Sequence, residues 1–163
     1  MWIDQTLFKA YDIRGVVGQT LTPEAVRAIG AALGSEAAAR GLGAMVVGRD
    51  GRLSGPSLRD ALVDGLRSTG MDVIDIGQVP TPVLYFATFE LGVPSGVEIT
   101  GSHNPPSYNG LKMVLGGDAL YGEGLQALRR RIERDDFVRA QVPGALRTAS
   151  VETDYVARIV GDR

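Results

Sequence analysis

The chain has 163 residues, a length that fits one domain with a substantial buried core. Its hydrophobic fraction of 44%, charged fraction of 22% and formal net charge of −2 are those of a soluble globular protein. They exclude the basic field that draws a domain to nucleic acid or an anionic membrane. Because the sequence contains no cysteine, a disulfide framework, a thiol nucleophile and a cysteine-based metal site are excluded too.

The chain opens without targeting signals and reaches its first helix after about twenty residues. Residues 1–6 lack the basic start and the apolar run of a signal peptide, so we expect a cytoplasmic protein. Thr22 followed by Pro23 is a helix start, with a hydroxyl N-cap and proline in the first turn. Apolar residues then recur at helical spacing until Gly41, which predicts that the helix ends there.

Short apolar runs and further helical patterns alternate along the rest of the chain. We predict strands over 44–48, 71–77, 96–100 and 111–115, and helices from about 56, from 80 and over 123–134. Helices that separate short strands at this spacing predict an α/β fold, a three-layer α/β/α domain with a mixed, mostly parallel sheet.

The C-terminal residues suggest a domain boundary. Residues 143–145, Pro-Gly-Ala, have the composition of a linker, and residues 151–160 have a helical pattern. We therefore expect one domain over 1–145, followed by a linker and the truncated start of a second domain over 146–163. Apolar surface exposed by such a cut would allow the fragment to self-associate.

One loop has the features of a functional site. Residues 100–112, Thr-Gly-Ser-His-Asn-Pro-Pro-Ser-Tyr-Asn-Gly-Leu-Lys, directly follow a predicted strand, at the edge of the sheet where α/β proteins place ligands. Glycine and proline residues around Ser102 predict a sharply turned, exposed loop. A serine hydrolase is disfavoured, because His103 is adjacent to the serine and no second histidine exists to act as its base.

Phosphoryl transfer suits these residue types better. A serine hydroxyl can carry a phosphoryl group while cations neutralise the phosphate oxygens. Lys112 supplies a compact ammonium group, and Arg14 supplies a planar fork for two phosphate oxygens. Two alternatives stay open: an ordinary Ser-x-x-Pro turn, and a non-catalytic module that binds an anion or a partner domain.

The loop over 100–112 resembles the phosphoserine loop of the α-D-phosphohexomutases, including the spacing to the lysine. Residues 8–15, Phe-Lys-Ala-Tyr-Asp-Ile-Arg-Gly, look like the opening strand and loop of that family. Residues 47–52 and 75–82 agree with it in order and position. The residues that follow Asn-Pro are more similar to those of the phosphomannomutase/phosphoglucomutase branch than to those of phosphoglucosamine mutases, which remain the alternative.

The resemblance implies an enzyme that interconverts hexose 1-phosphates and 6-phosphates. Ser102 would carry the phosphate and pass it to the sugar, which forms a bisphosphate intermediate. Mg²⁺ would bind an oxygen of the Ser102 phosphate, and a hexose 1,6-bisphosphate would act as activator. The family has four domains, of which this chain covers the first, so the resemblance also implies an inactive fragment. The aspartate-rich metal loop and the sugar-binding loops would lie in the absent domains.

The resemblance further implies roles for individual residues near Ser102. His103 and Asn104 would shape its surroundings, while Lys112 would contact the phosphate or help to move the proton. Tyr11 and Arg14 match family positions near the reacting phosphate, and a half-buried packing role is the alternative for Tyr11.

Several polar residues near these positions are interpreted as structural, with roles in turns or helix caps. Arg49 and Arg52 are interpreted as stabilising the neighbouring turn, with a direct role in the site as the alternative. Asp12 and Asp50 are interpreted as turn or cap residues. Asn109-Gly110 is interpreted as the turn that delivers Lys112.

Overall fold

A computed structural model describes residues 1–161 as helices packed on a central sheet. The helices are α1 (Pro23–Ala39), α2 (Gly55–Ser68), α3 (Thr81–Glu90), α4 (Glu123–Glu133) and α5 (Glu152–Gly161), with a short 3-10 helix at Gln5–Leu7. The strands are β1 (Ile13–Val16), β2 (Ala44–Arg49), β3 (Asp72–Gln78), β4 (Gly96–Ile99), β5 (Tyr108–Leu115), β6 (Asp118–Ala119) and β7 (Leu146–Thr148).

The strands form one mixed sheet in the order β1-β5-β4-β2-β3-β7, with β6 paired to β5. Strands β4, β2, β3 and β7 are parallel to one another, whereas β5 runs antiparallel to β1, β4 and β6. Within residues 1–161, β5 is therefore the strand that opposes the common direction. This arrangement confirms the predicted mixed, mostly parallel sheet.

Helices cover both faces of the sheet, which confirms the three-layer architecture. Helices α1, α2 and α4 bury their apolar faces against one side, in a cluster that includes Ile29, Leu62, Val97, Leu111 and Leu128. Helix α3 covers the other side, with α5 beside it, in a smaller cluster that includes Val46, Ile74, Val83, Leu84 and Val151. Alternate residues of β4 and β5 therefore face different helical layers.

Local sequence accounts for the ends of α1. The Thr22 hydroxyl accepts a hydrogen bond from the Ala25 amide at 3.1 Å, and Pro23 occupies the first turn. Gly41 follows the helix with a φ of 76°, a left-handed conformation that glycine adopts readily. The predicted start and end of this helix are confirmed to within two residues.

Two stretches differ from the sequence-based predictions. Asn109 and Gly110 do not form a turn: both lie in β5, which begins at Tyr108 and pairs with β1. The residues Leu146–Thr148 form β7, which pairs with β3, so they belong to the sheet and not to a linker. The division into a first domain over 1–145 and the start of a second stays a prediction.

Among residues 1–161, none of the helices combines the length and the apolar character needed to cross a bilayer.

Candidate functional site

Ser102 lies on the connection between β4 and the antiparallel strand β5. Its side chain is exposed, and its backbone has a φ of 52°, in the left-handed region that residues other than glycine rarely occupy. The Ser102 amide donates to Thr100 Oγ1 at 3.0 Å, and the Asn104 amide donates to the Gly101 carbonyl at 3.0 Å. The predicted exposed and sharply turned loop is confirmed.

Arg52 holds this loop through hydrogen bonds to its backbone. Its guanidinium donates to four backbone carbonyl oxygens: those of Asn104 and Pro105 at 2.6 Å each, Tyr108 at 3.0 Å and Ser102 at 3.3 Å. The guanidinium packs so closely beneath Gly101 that a Cβ atom on this glycine would lie 1.7 Å from Arg52 Nε. Arg52 therefore has the stabilising role predicted for it, and the turn that it stabilises is the loop that carries Ser102.

Asp50 joins Arg52 and the loop in one network. Asp50 Oδ1 accepts the Arg52 amide at 3.1 Å, which is the turn role predicted for it. Asp50 Oδ2 accepts the Gly101 amide at 2.9 Å and lies 3.6 Å from Arg52 Nε. The Asp50 carboxylate, which directly follows β2, thus holds Gly101, the residue next to Ser102.

Arg14 reaches the same loop from β1. Its Nη1 atom donates to Asn104 Oδ1 at 2.8 Å and to the Gly101 carbonyl at 3.2 Å. Its Nη2 atom pairs with Asp12 Oδ2 at 2.5 Å, and both side chains are 14% exposed. The structure therefore brings Arg14, Asn104 and the backbone around Ser102 together, and it orients the arginine with the neighbouring carboxylate.

The sheet register places Lys112 on the same face as Arg14. Arg14 is opposite Gly110, and Lys112 lies two residues further along β5, so both side chains leave the sheet on the side covered by α3. Lys112 is half-buried and makes no hydrogen bond or ion pair within residues 1–161. The lysine thus shares a face of the sheet with Arg14, and its predicted contact with the phosphate stays a prediction.

The other predicted site residues are more peripheral. His103 is exposed and forms no hydrogen bond with the described part of the chain. Tyr11 is 79% exposed, so its interpretation as a half-buried packing residue is wrong. Its ring stacks on Tyr121 with a centroid distance of 6.3 Å and does not enter the hydrogen-bond network around Ser102.

Glu98 is a residue of the site region that sequence reasoning missed. It is completely buried in β4, directly opposite Lys112, and burial together with the charge of Asp50 raises its pKa from 4.5 to about 8. The sequence contained one indication of its importance, because Glu98 is the single acidic residue of an otherwise apolar predicted strand.

The described residues contain no cluster of three or more His, Cys, Asp or Glu side chains that could hold a metal ion. A phosphate on the exposed Ser102 hydroxyl would contribute one oxygen ligand to Mg²⁺.

Fold and site together define an α/β/α domain that presents a serine at the carboxyl edge of its sheet. The model of the family described as phosphoglucomutase/phosphomannomutase, alpha/beta/alpha domain I, matches residues 5–139. This match covers most of the chain, and the chain belongs to that family.

Longer relatives have related names, and one of them has a solved structure with the same fold over this part. A phosphoglucomutase of Neisseria gonorrhoeae is 49% identical over 159 residues, which cover 98% of this chain and 35% of the relative. A phosphomannomutase/phosphoglucomutase of Pseudomonas aeruginosa is 52% identical over 157 residues, or 96% of this chain and 34% of the relative. A crystal structure of a phosphoglucomutase/phosphomannomutase family protein from Burkholderia thailandensis superposes with a TM-score of 0.94 at 53% identity, covering 99% of this chain and 36% of that one. The chain spans about a third of the length of these relatives.

Proposed function

We propose that the protein containing this domain is a phosphohexomutase of the phosphomannomutase/phosphoglucomutase type, which interconverts hexose 1-phosphate and 6-phosphate. The observation that carries the proposal is the exposed Ser102 on a loop braced by two arginines and an aspartate. The names of the relatives support the same reaction, because they are phosphoglucomutases and phosphomannomutases. A non-catalytic module and a phosphoglucosamine mutase gain no specific support from the site.

In the proposed reaction, Ser102 carries a phosphoryl group on its Oγ atom. A hydroxyl of the bound sugar monophosphate attacks the phosphorus and loses its proton, while the bond from phosphorus to Ser102 Oγ breaks and that oxygen takes up a proton. The product is a sugar bisphosphate. When the bisphosphate has reoriented within the site, its other phosphate returns to Ser102 by the reverse steps. A free hexose 1,6-bisphosphate can also phosphorylate a Ser102 hydroxyl that carries no phosphate.

The residues of this domain position and neutralise the phosphoryl group in this proposal. Arg52 and Asp50 hold the loop backbone, and Arg14 holds the side chain of Asn104 within the loop. Lys112 approaches a phosphate oxygen, or moves the sugar proton, from the same face of the sheet. His103 and Tyr11 border the site from exposed positions and would meet the sugar phosphate there. Electrostatic positioning of this kind is the main source of catalysis in phosphoryl transfer.

Magnesium enters the proposal through one ligand of this chain. An oxygen of the Ser102 phosphate would bind Mg²⁺, and the other ligands would come from outside the described residues. Bound magnesium would neutralise charge on the transferring phosphate.

We also propose that sugar specificity lies in the rest of the protein and that this chain alone is inactive. Its exposed apolar side chains, among them Leu53 and Phe89, allow self-association.

The test uses the full-length protein with a matched serine control. Mass spectrometry should find phosphate on Ser102, and Ser102→Ala should abolish mutase activity. Ser107→Ala removes another exposed hydroxyl from the same loop and should leave the activity unchanged. Wild-type turnover by the Ser102→Ala protein would refute the proposal.

A further inference from the structure

The carboxyl group of Glu98 is buried without a hydrogen-bond partner. Its relative exposure is 0%, and neither carboxyl oxygen has a donor within the described residues. Buried polar atoms are almost always paired, so an unpaired carboxyl group beside a candidate site requires an explanation. The neighbouring strand makes room for it, because a Cβ atom on Gly48 would lie 2.6 Å from Glu98 Oε1. Val79 and Ile76 line the same position with apolar groups.

Charged and titratable groups face Glu98 from the elements around it. Asp50 follows Gly48 from the β2 side, and its charge acts on Glu98. Tyr85 faces it from α3, and burial together with the charge of Glu98 raises the pKa of this tyrosine. Lys112 is its direct cross-strand partner on β5, and Arg14 lies beyond it on β1.

The position of Lys112 links Glu98 to the serine loop. Side chains directly opposite each other on antiparallel strands have Cβ atoms about 5 Å apart, so a flexible lysine can turn inward to the Glu98 carboxylate. The same side chain can instead extend along the face that carries Arg14, toward the loop. Lys112 has no partner within residues 1–161 in the present conformation, and either contact is therefore available to it.

We propose that Glu98 is a positioning residue that balances the charge on Ser102 through Lys112. While Ser102 carries a phosphate, Glu98 keeps its proton and Lys112 is free to extend toward the phosphate. When the phosphate has left, Glu98 holds its proton less tightly, and a Glu98 carboxylate that has released its proton to solvent pairs with the Lys112 ammonium group. This inference rests on the proposed function, since it assigns a changing charge to Ser102.

The electrostatics of the site support this exchange. Burial and the nearby Asp50 raise the pKa of Glu98 to about 8, so its proton occupancy changes near neutral pH. Asp50 is hydrogen-bonded to the amide of Gly101, the residue next to Ser102. An additional negative charge on Ser102 would therefore add to the charge of Asp50, which already raises the pKa of Glu98.

The first experiment measures the Glu98 pKa by carbon-detected NMR of the chain labelled at glutamate carboxyl carbons. Ser102→Asp adds a negative charge, and Ser102→Asn is a neutral control of the same shape; both side chains tolerate left-handed backbone. Glu98→Gln identifies the signal by its loss. We expect the pKa of Glu98 to be higher in the Asp variant than in the Asn variant by about 0.5 to 1. Equal values in the two variants would overturn the proposal.

The second experiment tests the role of Lys112. Lys112→Met removes the ammonium group that would pair with ionised Glu98, so the pKa of Glu98 should rise. Lys9→Met is the matched control, because Lys9 is the other lysine of the chain and is exposed. An unchanged Glu98 pKa in Lys112→Met protein would show that the lysine does not couple to it.

These outcomes can be separated from the test of the proposed function. The NMR measurements use an introduced charge and do not require Ser102 to be phosphorylated. If full-length protein carries no phosphate on Ser102 while the pKa of Glu98 still responds, the mutase proposal fails and the coupling stands. If Ser102 is phosphorylated and the pKa does not respond, only the role of Glu98 fails.

Discussion

The raised pKa of Glu98 leads to a quantitative prediction about stability. In the unfolded chain this carboxyl group titrates near 4.5, whereas burial and Asp50 raise its pKa in the folded chain to about 8. The folded state therefore holds a proton that the unfolded state has lost in the interval between these values. Stability must fall as the pH rises through that interval, and it stays constant on both sides of it as far as Glu98 is concerned.

The size of the effect follows from the same two values. A difference of one in pKa corresponds to about 1.4 kcal/mol, so the rise from 4.5 to about 8 gives a ceiling of about 5 kcal/mol. Glu98→Met keeps the length of the side chain and removes both the charge and the unpaired oxygens. We expect the variant to be several kcal/mol more stable than wild type at pH 8.5, and the difference to shrink steadily toward pH 4.5.

The assay is urea unfolding followed by circular dichroism at intervals from pH 4.5 to pH 9. Glu90→Met is the matched control, because Glu90 is exposed at the end of α3 and its loss should leave the slope of stability against pH unchanged. Parallel stability curves for wild type and Glu98→Met would refute the reasoning, since they would mean that Glu98 titrates normally in the folded chain.

Three further predictions concern the serine loop. Arg52→Met should lower the free energy of unfolding by about 2 to 4 kcal/mol in urea titrations, because four backbone carbonyls lose a charged donor; Arg40→Met, at an exposed pair with Glu36, should cost under about 1 kcal/mol. Gly101→Ala should lower the melting temperature by several degrees, since its methyl group would overlap Arg52 Nε, whereas Gly43→Ala meets no atom within 4 Å and should be nearly neutral. Ser102→Gly should raise stability in urea by up to about 1 kcal/mol by relieving the left-handed backbone, and a loss of stability would contradict the strain argument.

Much of the fold could be predicted because its signals are local. The cap at Thr22 and the stop at Gly41 fixed the ends of α1, and regular apolar spacing identified the other long elements. The short strand β7 was missed because the exposed residues Leu146–Thr148 gain their structure only by pairing with β3. Asn109-Gly110 was misinterpreted for a related reason, since the usual turn dipeptide is held extended by its partners on β1.

The site was predictable where the motif itself carries the chemistry. Ser102, Asn104 and Arg14 came from short sequence runs, and the structure brings these residues together. The bracing role of Arg52 depends on contacts with residues about fifty positions away, which no local pattern contains. Glu98 could have been noticed as an acid in an apolar strand, but its lack of a partner depends on the packing of three strands and a helix.

The reversed direction of β5 has a consequence for the order in which the site can assemble. Strands β4 and β5 are joined directly, so their pairing and the serine loop between them need little chain closure. Arg14 belongs to a strand that pairs with residues near 110, almost a hundred positions later in the chain. On the ribosome this arginine is synthesised almost a hundred residues before β5 and has no strand to join until then, so the site gains this cation only after β2, β3 and β4 have been made.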